Sequence, residues 1–141
     1  MSNVRDVCSL RVAPDQERFV SSNAESLAEA YVIEEAVPRA LRVDDVLVGF
    51  VMLYDSPGPS LDIWRLMIDA EHQGRGWGRA AVLAVVDYAR GRPQTQALTV
   101  GAEAGEGGPA GFYERLGFQP TGEVRHDTEI RYELPIDRLP A

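Results

Sequence analysis

The sequence of 141 residues contains no lysine, so all 14 of its basic residues are arginine. The absence of lysine excludes Schiff-base and pyridoxal-phosphate chemistry, lysine nucleophiles and the Walker-type phosphate lysine. A single cysteine, Cys8, excludes an internal disulfide, and the two histidines, His72 and His126, are too few for the usual zinc ligand sets. We therefore expect no metal and direct chemistry without a cysteine intermediate.

Long apolar runs are also missing. The longest, Val46–Tyr54, is far shorter than the roughly 20 residues of a membrane-spanning helix, and residues 1–6 do not read as a signal peptide. The 22 acidic residues outweigh the 14 basic ones and give a net charge of −8, which repels nucleic acid and anionic lipid but attracts cations. We expect a cytoplasmic protein, of bacterial composition, with no nucleic-acid or membrane partner.

The chain length predicts one domain over residues 1–141, since domains average roughly 150 residues. Periodicity and turn signals predict strands at residues 7–12, 39–43, 46–54, 61–69, 97–100, 118–123 and 129–134. They predict helices at residues 15–22, 25–32, 79–90 and 109–116. Three consecutive strands in the middle require antiparallel pairing, and the strand–helix–strand unit that follows indicates a parallel pair. The sequence predicts a single-domain α/β fold with a mixed, mostly antiparallel twisted sheet flanked by helices.

A glycine-rich stretch at residues 73–79 follows a predicted strand and leads into a helix. The first amides of a helix have no intrahelical partner and carry the positive end of its dipole, and glycine lets an anion approach them closely. The stretch lacks the Gly-Lys-Ser/Thr ending of a P-loop. It also fails the Gly-x-Gly-x-x-Gly fingerprint, whose last position falls on Arg79 or Ala81. A pyrophosphate cradle and a plain tight turn both remain open on these residues alone.

Two motifs change this interpretation. Gln73-x-x-Gly76-x-Gly78 resembles the acetyl-CoA motif of the GCN5-related N-acetyltransferases, the GNAT family. The segment from Phe112 to Phe118, about 35 residues downstream, resembles the second signature of the same family. The stretches at residues 63–69 and 27–30 further resemble bacterial diamine and spermine/spermidine acetyltransferases.

The resemblance implies an acetyl-CoA-dependent enzyme whose cofactor lies between two splayed parallel strands. It implies pantetheine pairing with the backbone of the motif strand and pyrophosphate on the amides of the glycine-rich turn. The cofactor-binding residues it implies are Leu66, Met67, Ile68, Gln73, Gly74, Arg75, Gly76, Trp77, Gly78, Arg79 and Tyr113. Tyr113 is the implied general acid for the departing thiolate, although from the residues alone it is equally a core aromatic. Glu106 stands where many relatives carry an asparagine that contacts the cofactor.

The acceptor is expected to be a small cationic amine. An amine of pKa about 10.4 is only about 0.04% deprotonated at pH 7, a cost of roughly 4.6 kcal/mol, so a site for it needs a proton acceptor. We predict Asp62 or Glu35 as a base acting through water, with Trp64 as a cation–π surface. The predicted substrate-binding residues are Glu29, Glu34, Glu35, Asp62 and Trp64.

Several alternatives remain open at this stage. The glutamates are also consistent with a solvated acidic helix face. The acceptor could equally be an amine-bearing antibiotic or a protein N-terminus, and a catalytically silent acyl-CoA-binding module would share the cofactor motif. The resemblance also implies a homodimer through the last strands.

Overall fold

The computed structural model describes residues 4–14, 22–103, 108–125 and 129–138, and shows one mixed sheet of six strands flanked by helices. The α-helices are α1 (Val4–Ser9), α2 (Asn23–Val32), α3 (Trp77–Arg90) and α4 (Ala110–Arg115). The strands are β1 (Ala36–Val43), β2 (Val46–Tyr54), β3 (Ser60–Ile68), β4 (Ala97–Glu103), β5 (Gln119–Arg125) and β6 (Glu129–Pro135). Short 3-10 helices occupy Ala70–His72 and Ile136–Arg138.

The strands lie in the order β1-β2-β3-β4-β6-β5, and every neighbouring pair is antiparallel except β3 and β4. This confirms the predicted mixed, mostly antiparallel sheet with one parallel pair. Helix α3 makes the crossover that a parallel pair requires. The parallel pairing is short: it joins Ser60–Ile63 to residues 97–100 and then stops.

Strand β3 carries one extra residue at the point where this pairing ends. Arg65 lies opposite Met52 and Ile63 lies opposite Leu53, so Trp64 is left between them as a bulge. A one-residue shift turns all later side chains to the other face of a strand. Accordingly, Ile63 and Leu66, three residues apart, both contact the core beneath α3 and α4, whereas Trp64 and Met67 pack on the face covered by α1 and α2.

Strand β2 runs through the centre of the molecule and is buried on both faces. Val51 and Leu53 belong to the larger core with α3 and α4, whereas Phe50 and Met52 belong to the smaller core with α1 and α2. Burial on both faces explains why this strand is a continuous apolar run rather than an alternating one.

The prediction of a first strand at residues 7–12 was wrong, because the structure has helix α1 followed by irregular backbone. Val7 and Leu10 are three residues apart and pack on the same small core, a spacing that suits a helical turn rather than a strand. Asn23 fixes the segment by donating from its side-chain amide to the carbonyl oxygen of Val7 at 2.8 Å. The predicted helix at residues 15–22 lies almost wholly outside the described residues.

The other predicted elements are present with shifted ends. Helix α3 begins two residues earlier than predicted, and β4 extends three residues further. The predicted hairpin turn at Asp44 and Asp45 is confirmed, with φ of 49° and 68°, the left-handed pair that joins two antiparallel strands tightly. Within the described part of the chain, none of the helices is long and apolar enough to cross a membrane.

Candidate active site

The glycine-rich turn ends β3 and starts α3. Gly74 and Gly76 adopt φ of 78° and 82°, a left-handed conformation that other residues rarely adopt. An added Cβ at either position would meet nothing within 4 Å, so both face open space. Gly76 is the N-cap of α3 and offers no side chain to bond the first amides of the helix. These amides therefore point toward an open surface at the positive end of a 14-residue helix.

Two other motif residues hold this turn in place. The Gln73 side chain donates from Nε2 to the carbonyl oxygen of Ile68 at 2.9 Å and so ties the turn back to the end of β3. A Cβ on Gly78 would lie 3.2 Å from the ring of Phe112. The third glycine thus lets α3 approach α4 closely, and the two sequence motifs are in direct contact in the fold.

A cavity of about 610 Å³ opens between these two helices and the end of β3. Its volume falls in the range of about 300–1,000 Å³ that is usual for cofactor and ligand sites. All of the predicted cofactor residues line it except Arg75, which is exposed beside it. The remaining lining residues, which sequence reasoning missed, are Val12, His72, Gly108, Pro109, Gly111, Phe112 and Arg115.

Arg115 is the most informative of the missed residues. Its Nη1 lies 3.3 Å from where a Cβ of Gly111 would stand, so the absent side chain one turn earlier gives the guanidinium its room. Together with Arg79 it gives the cavity two permanent positive charges, and no carboxylate lines the cavity among the described residues. In a chain of net charge −8, this is a local cationic site suited to phosphate groups. In the sequence, the glycine four residues before Arg115 is the feature that could have indicated this cationic site.

The edge of β3 toward β4 is the third feature of this cavity. Leu66, Met67 and Ile68 stay paired with β2 on one side. On the other side their pairing with β4 has already ended at Ile63, and no described strand replaces it. Since backbone amide and carbonyl groups require hydrogen-bond partners, this edge can pair with an extended ligand that carries amides.

Tyr113 lies at the inner end of the cavity and is only 5% exposed. Its ring makes edge-on contacts with Phe112 and Phe118, with centroids 5.0 and 5.3 Å apart. Burial, reinforced by the negative charge of Asp62, raises the pKa of the Tyr113 hydroxyl far above its ordinary value. The phenol therefore keeps its proton at neutral pH. Tyr113 is a core aromatic and a cavity residue at once.

A second cavity of about 510 Å³ lies on the opposite face of the sheet. Its lining residues are Tyr54, Ser56, Ser60, Asp62, Ile63, Trp64, Thr99, Gly101, Glu129 and Arg131. The side chains of Leu61 and Leu98 belong to the larger core, so their neighbours Asp62 and Thr99 point the other way, into this cavity. Tyr54 and Trp64 form an edge-on aromatic pair, 5.9 Å between centroids, along one wall.

The predicted acceptor-side residues separate into two groups. Asp62 and Trp64 line the second cavity. Glu29 instead lies 3.2 Å from Arg65, whose guanidinium is 4.8 Å from the centre of the Trp64 ring. Glu34 and Glu35 lie at the turn after α2 and do not line this cavity. The Glu106 position lies outside the described residues.

Asp69, Glu71 and His72 form a group with potential ligand atoms within 4.8 Å of one another. The Asp69 carboxylate, however, caps the backbone: its oxygens accept from the amides of Arg11 and Glu71 at 2.8 and 3.4 Å. Asp69 thus ties the chain after α1 to the end of β3.

Comparison with known proteins assigns the chain to a class. The family model described as Acetyltransferase (GNAT) family matches residues 5–118. N-acetyltransferase 8 of Rattus norvegicus is 32% identical over 78 residues, which is 54% of this chain and 35% of that protein. This chain thus spans about a third of the length of the curated relative it matches.

Solved structures agree on the fold. An aminoglycoside 6'-acetyltransferase type Ii superposes with a TM-score of 0.74 at 19% identity, covering 99% of this chain and 93% of that one. The ribosomal-protein-S18-alanine N-acetyltransferase of Escherichia coli gives a TM-score of 0.72 at 18% identity, covering 96% and 89%. Two further acetyltransferases of similar fold are described with acetyl-CoA or coenzyme A bound. The chain belongs to the GNAT family of acetyltransferases.

Proposed function

We propose that this protein is an acetyl-CoA-dependent N-acetyltransferase that transfers the acetyl group directly to a primary amine of a small polycationic acceptor. One observation carries the proposal. Two cavities of opposite character lie on the two faces of the sheet, at the point where β3 and β4 separate after Ile63. Tyr113 lies on one side of this point and Asp62 on the other, near enough for the charge of Asp62 to raise the pKa of Tyr113.

The first cavity fits coenzyme A by its chemistry. Acetyl-CoA would supply the activated acetyl thioester. The amides that follow Gly76 and the guanidinium groups of Arg79 and Arg115 suit its phosphates. The edge from Leu66 to Ile68, which β4 leaves open and where Gln73 occupies only the Ile68 carbonyl oxygen, suits the amides of the pantetheine arm. Arg75, exposed beside the turn, adds positive charge at the entrance.

The second cavity fits the amine and its proton. Asp62 receives a proton from the substrate ammonium, directly or through water, so that the nitrogen lone pair is free to attack the thioester carbon. As the carbon–sulfur bond breaks, its electron pair goes to sulfur, and the Tyr113 hydroxyl donates its proton there. The nitrogen loses a second proton to solvent when the amide forms. Asp62 then returns its proton through water to the Tyr113 oxygen, so that both groups regain their starting forms. The balance is one ammonium and one thioester converted to one amide, one thiol and one released proton.

The acceptor follows from the charge and aromatic content of the second cavity. Asp62 and Glu129 line it together with Trp64 and Tyr54, a combination that favours cations. Diamines and polyamines are the first candidates. Aminoglycosides are the second, because the fold neighbour of that name superposes over nearly the whole chain and these compounds carry the same kind of charge.

A thiol-release assay tests the proposal. Purified protein and acetyl-CoA are combined in turn with putrescine, spermidine, an aminoglycoside and a peptide with a free N-terminus. We expect turnover with at least one polycationic small amine and little with the peptide. Because the chain contains no lysine, self-acetylation is limited to the α-amine and gives a low background. Binding of acetyl-CoA without turnover on any amine would instead establish the silent module.

A further inference from the structure

We propose that Arg131 and Thr99 are positioning residues that act through Asp62, holding its carboxylate as an ionised hydrogen-bond acceptor at the acceptor side of the split between β3 and β4. The inference rests on the proposed function and adds two residues to it. Neither residue belongs to the motifs that identify the family, and they come from strands β6 and β4. Both line the second cavity.

The geometry of the three side chains is a chain of hydrogen bonds. Arg131 donates from Nη2 to Thr99 Oγ1 at 3.1 Å, and Thr99 Oγ1 donates to Asp62 Oδ1 at 2.8 Å. Arg131 Nη1 also lies 3.8 Å from the same Asp62 oxygen. Thr99 is 3% exposed, so its hydroxyl depends on these protein partners rather than on bulk water.

The direction of this chain is fixed by chemistry. A guanidinium can only donate, so the Thr99 hydroxyl must accept from Arg131. Its single proton is then available only for Asp62, whose oxygen has to act as an acceptor. A carboxylate that accepts from a hydroxyl and lies beside a cation is favoured in its charged form. Arg131 and Thr99 together select the form of Asp62 that can take a proton from an ammonium.

The surrounding charges prevent Arg131 from simply neutralising Asp62. Glu123 on β5 lies 3.7 Å from Arg131 Nε and shares its charge. By strand alternation, Glu129 and Glu133 lie on the same face of β6 as Arg131. Among the described residues, the charged side chains that line the cavity with Asp62 are Glu129 and Arg131, and the charge of Asp62 also reaches Tyr113 on α4. The acidic excess keeps the cavity attractive to a cation.

Two readouts test the inference. The first is the pH profile of kcat/KM with acetyl-CoA and spermidine for the wild type, Thr99→Val, Thr99→Ser and Arg131→Gln. Removing the Thr99 hydroxyl or the Arg131 cation disfavours the ionised form of Asp62. In Thr99→Val and Arg131→Gln we therefore expect the acid limb, the fall of kcat/KM at low pH, to shift to higher pH by about one unit. Since a carboxyl group ordinarily titrates at about pH 4, the loss in kcat/KM should reach about tenfold on the acid side of the profile and be small at pH 7. Thr99→Ser keeps the hydroxyl and should restore the wild-type profile.

The second readout needs no turnover. The side-chain carboxyl carbon of Asp62, assigned with the Asp62→Asn variant, is followed by NMR titration in the free protein. The same upward movement is expected in Thr99→Val and Arg131→Gln, with retained acetyl-CoA affinity as the check on folding. If no amine is acetylated but the titration moves, the proposed function fails and the positioning role stands. The inference would be overturned if, in folded variants, neither the acid limb of the kcat/KM profile nor the NMR titration of Asp62 shifted.

Discussion

The two cavities differ in how they are built. The first takes most of its features from two continuous stretches, residues 66–79 and 108–115, and therefore from local motifs. The second is assembled from single residues on β2, β3, β4 and β6 and the loop after β2, up to about 75 positions apart. The first is cationic in an acidic chain, and the second is acidic and aromatic. Under the proposed function, the cofactor would be held by local motifs, whereas the acceptor would be selected by side chains scattered over the sheet.

The largest effect is expected at Tyr113, which lines the first cavity. Tyr113→Phe removes the proton donor but keeps the ring and its contacts with Phe112 and Phe118. We expect kcat at neutral pH to fall more than about tenfold, with acetyl-CoA affinity measured by calorimetry almost unchanged. Tyr132→Phe, which removes another buried phenol, is the matched control and should lose far less. Wild-type turnover in Tyr113→Phe would exclude the acid role.

The next effect separates the glycines of the first cavity. Gly78→Val places side-chain atoms against Phe112, within 3.2 Å at Cβ alone, and forces α3 away from α4. We expect weaker acetyl-CoA binding and a lower melting temperature. Gly76→Val meets open space but adopts a positive φ at a cost of about 1–2 kcal/mol, and it should mainly weaken cofactor binding. Calorimetry and thermal unfolding on both variants distinguish the two effects, and equal behaviour would argue against the packing role of Gly78.

A smaller effect compares two arginines. Arg115 lines the first cavity and Arg75 does not. Arg115→Gln should raise the Kd of acetyl-CoA several-fold and reduce its dependence on salt, since a solvent-exposed charged contact contributes about 1 kcal/mol at most. Arg75→Gln is the control and should change Kd little. The reverse order would place the phosphates at the outer side of the turn.

The smallest effect concerns stability in alkali. The pKa of Tyr113 is raised in the folded state above its value of about 10 in the unfolded chain. The contribution of the protonated Tyr113 to the free energy of unfolding is therefore fully present below pH 10 and is lost as the pH rises further. Above pH 10 the melting temperature of Tyr113→Phe should fall less steeply than that of the wild type. Parallel curves for the two proteins between pH 9 and 11 would contradict the buried, protonated phenol.

The sequence predicted the parts of the molecule that depend on local pattern. The apolar run of β2, the alternation of β3 and the glycine-rich start of α3 each carry a periodic or compositional signal, and the structure has these elements. Asp62 and Trp64 were predicted from their strand, and both line the second cavity. Residues 7–12 were misread because alternation over six positions does not distinguish a strand from a helix whose Val7 and Leu10 share one core.

The remaining part of the site depends on strand order, which the sequence does not encode locally. Thr99 and Arg131 meet Asp62 only because β4 lies between β3 and β6. From the sequence alone, without the strand order, Arg131 is indistinguishable from an ordinary exposed strand residue. The glutamates at residues 29, 34 and 35 were expected near the acceptor from the resemblance. Glu29 instead pairs with Arg65, while Glu34 and Glu35 lie at the turn after α2, outside the lining of the second cavity.

The bulge at Trp64 has a consequence for how this strand can evolve. Because one additional residue reverses the facing of everything after it, β3 presents Asp62 to the second cavity and, only a few positions later, Leu66 to the first cavity. Exchanging the side chain at position 64 alters the shape of the acceptor cavity and leaves this division intact. Deleting Trp64 would turn Leu66 toward the smaller core and Met67 toward the larger one, so that each side chain would face the other's present surroundings.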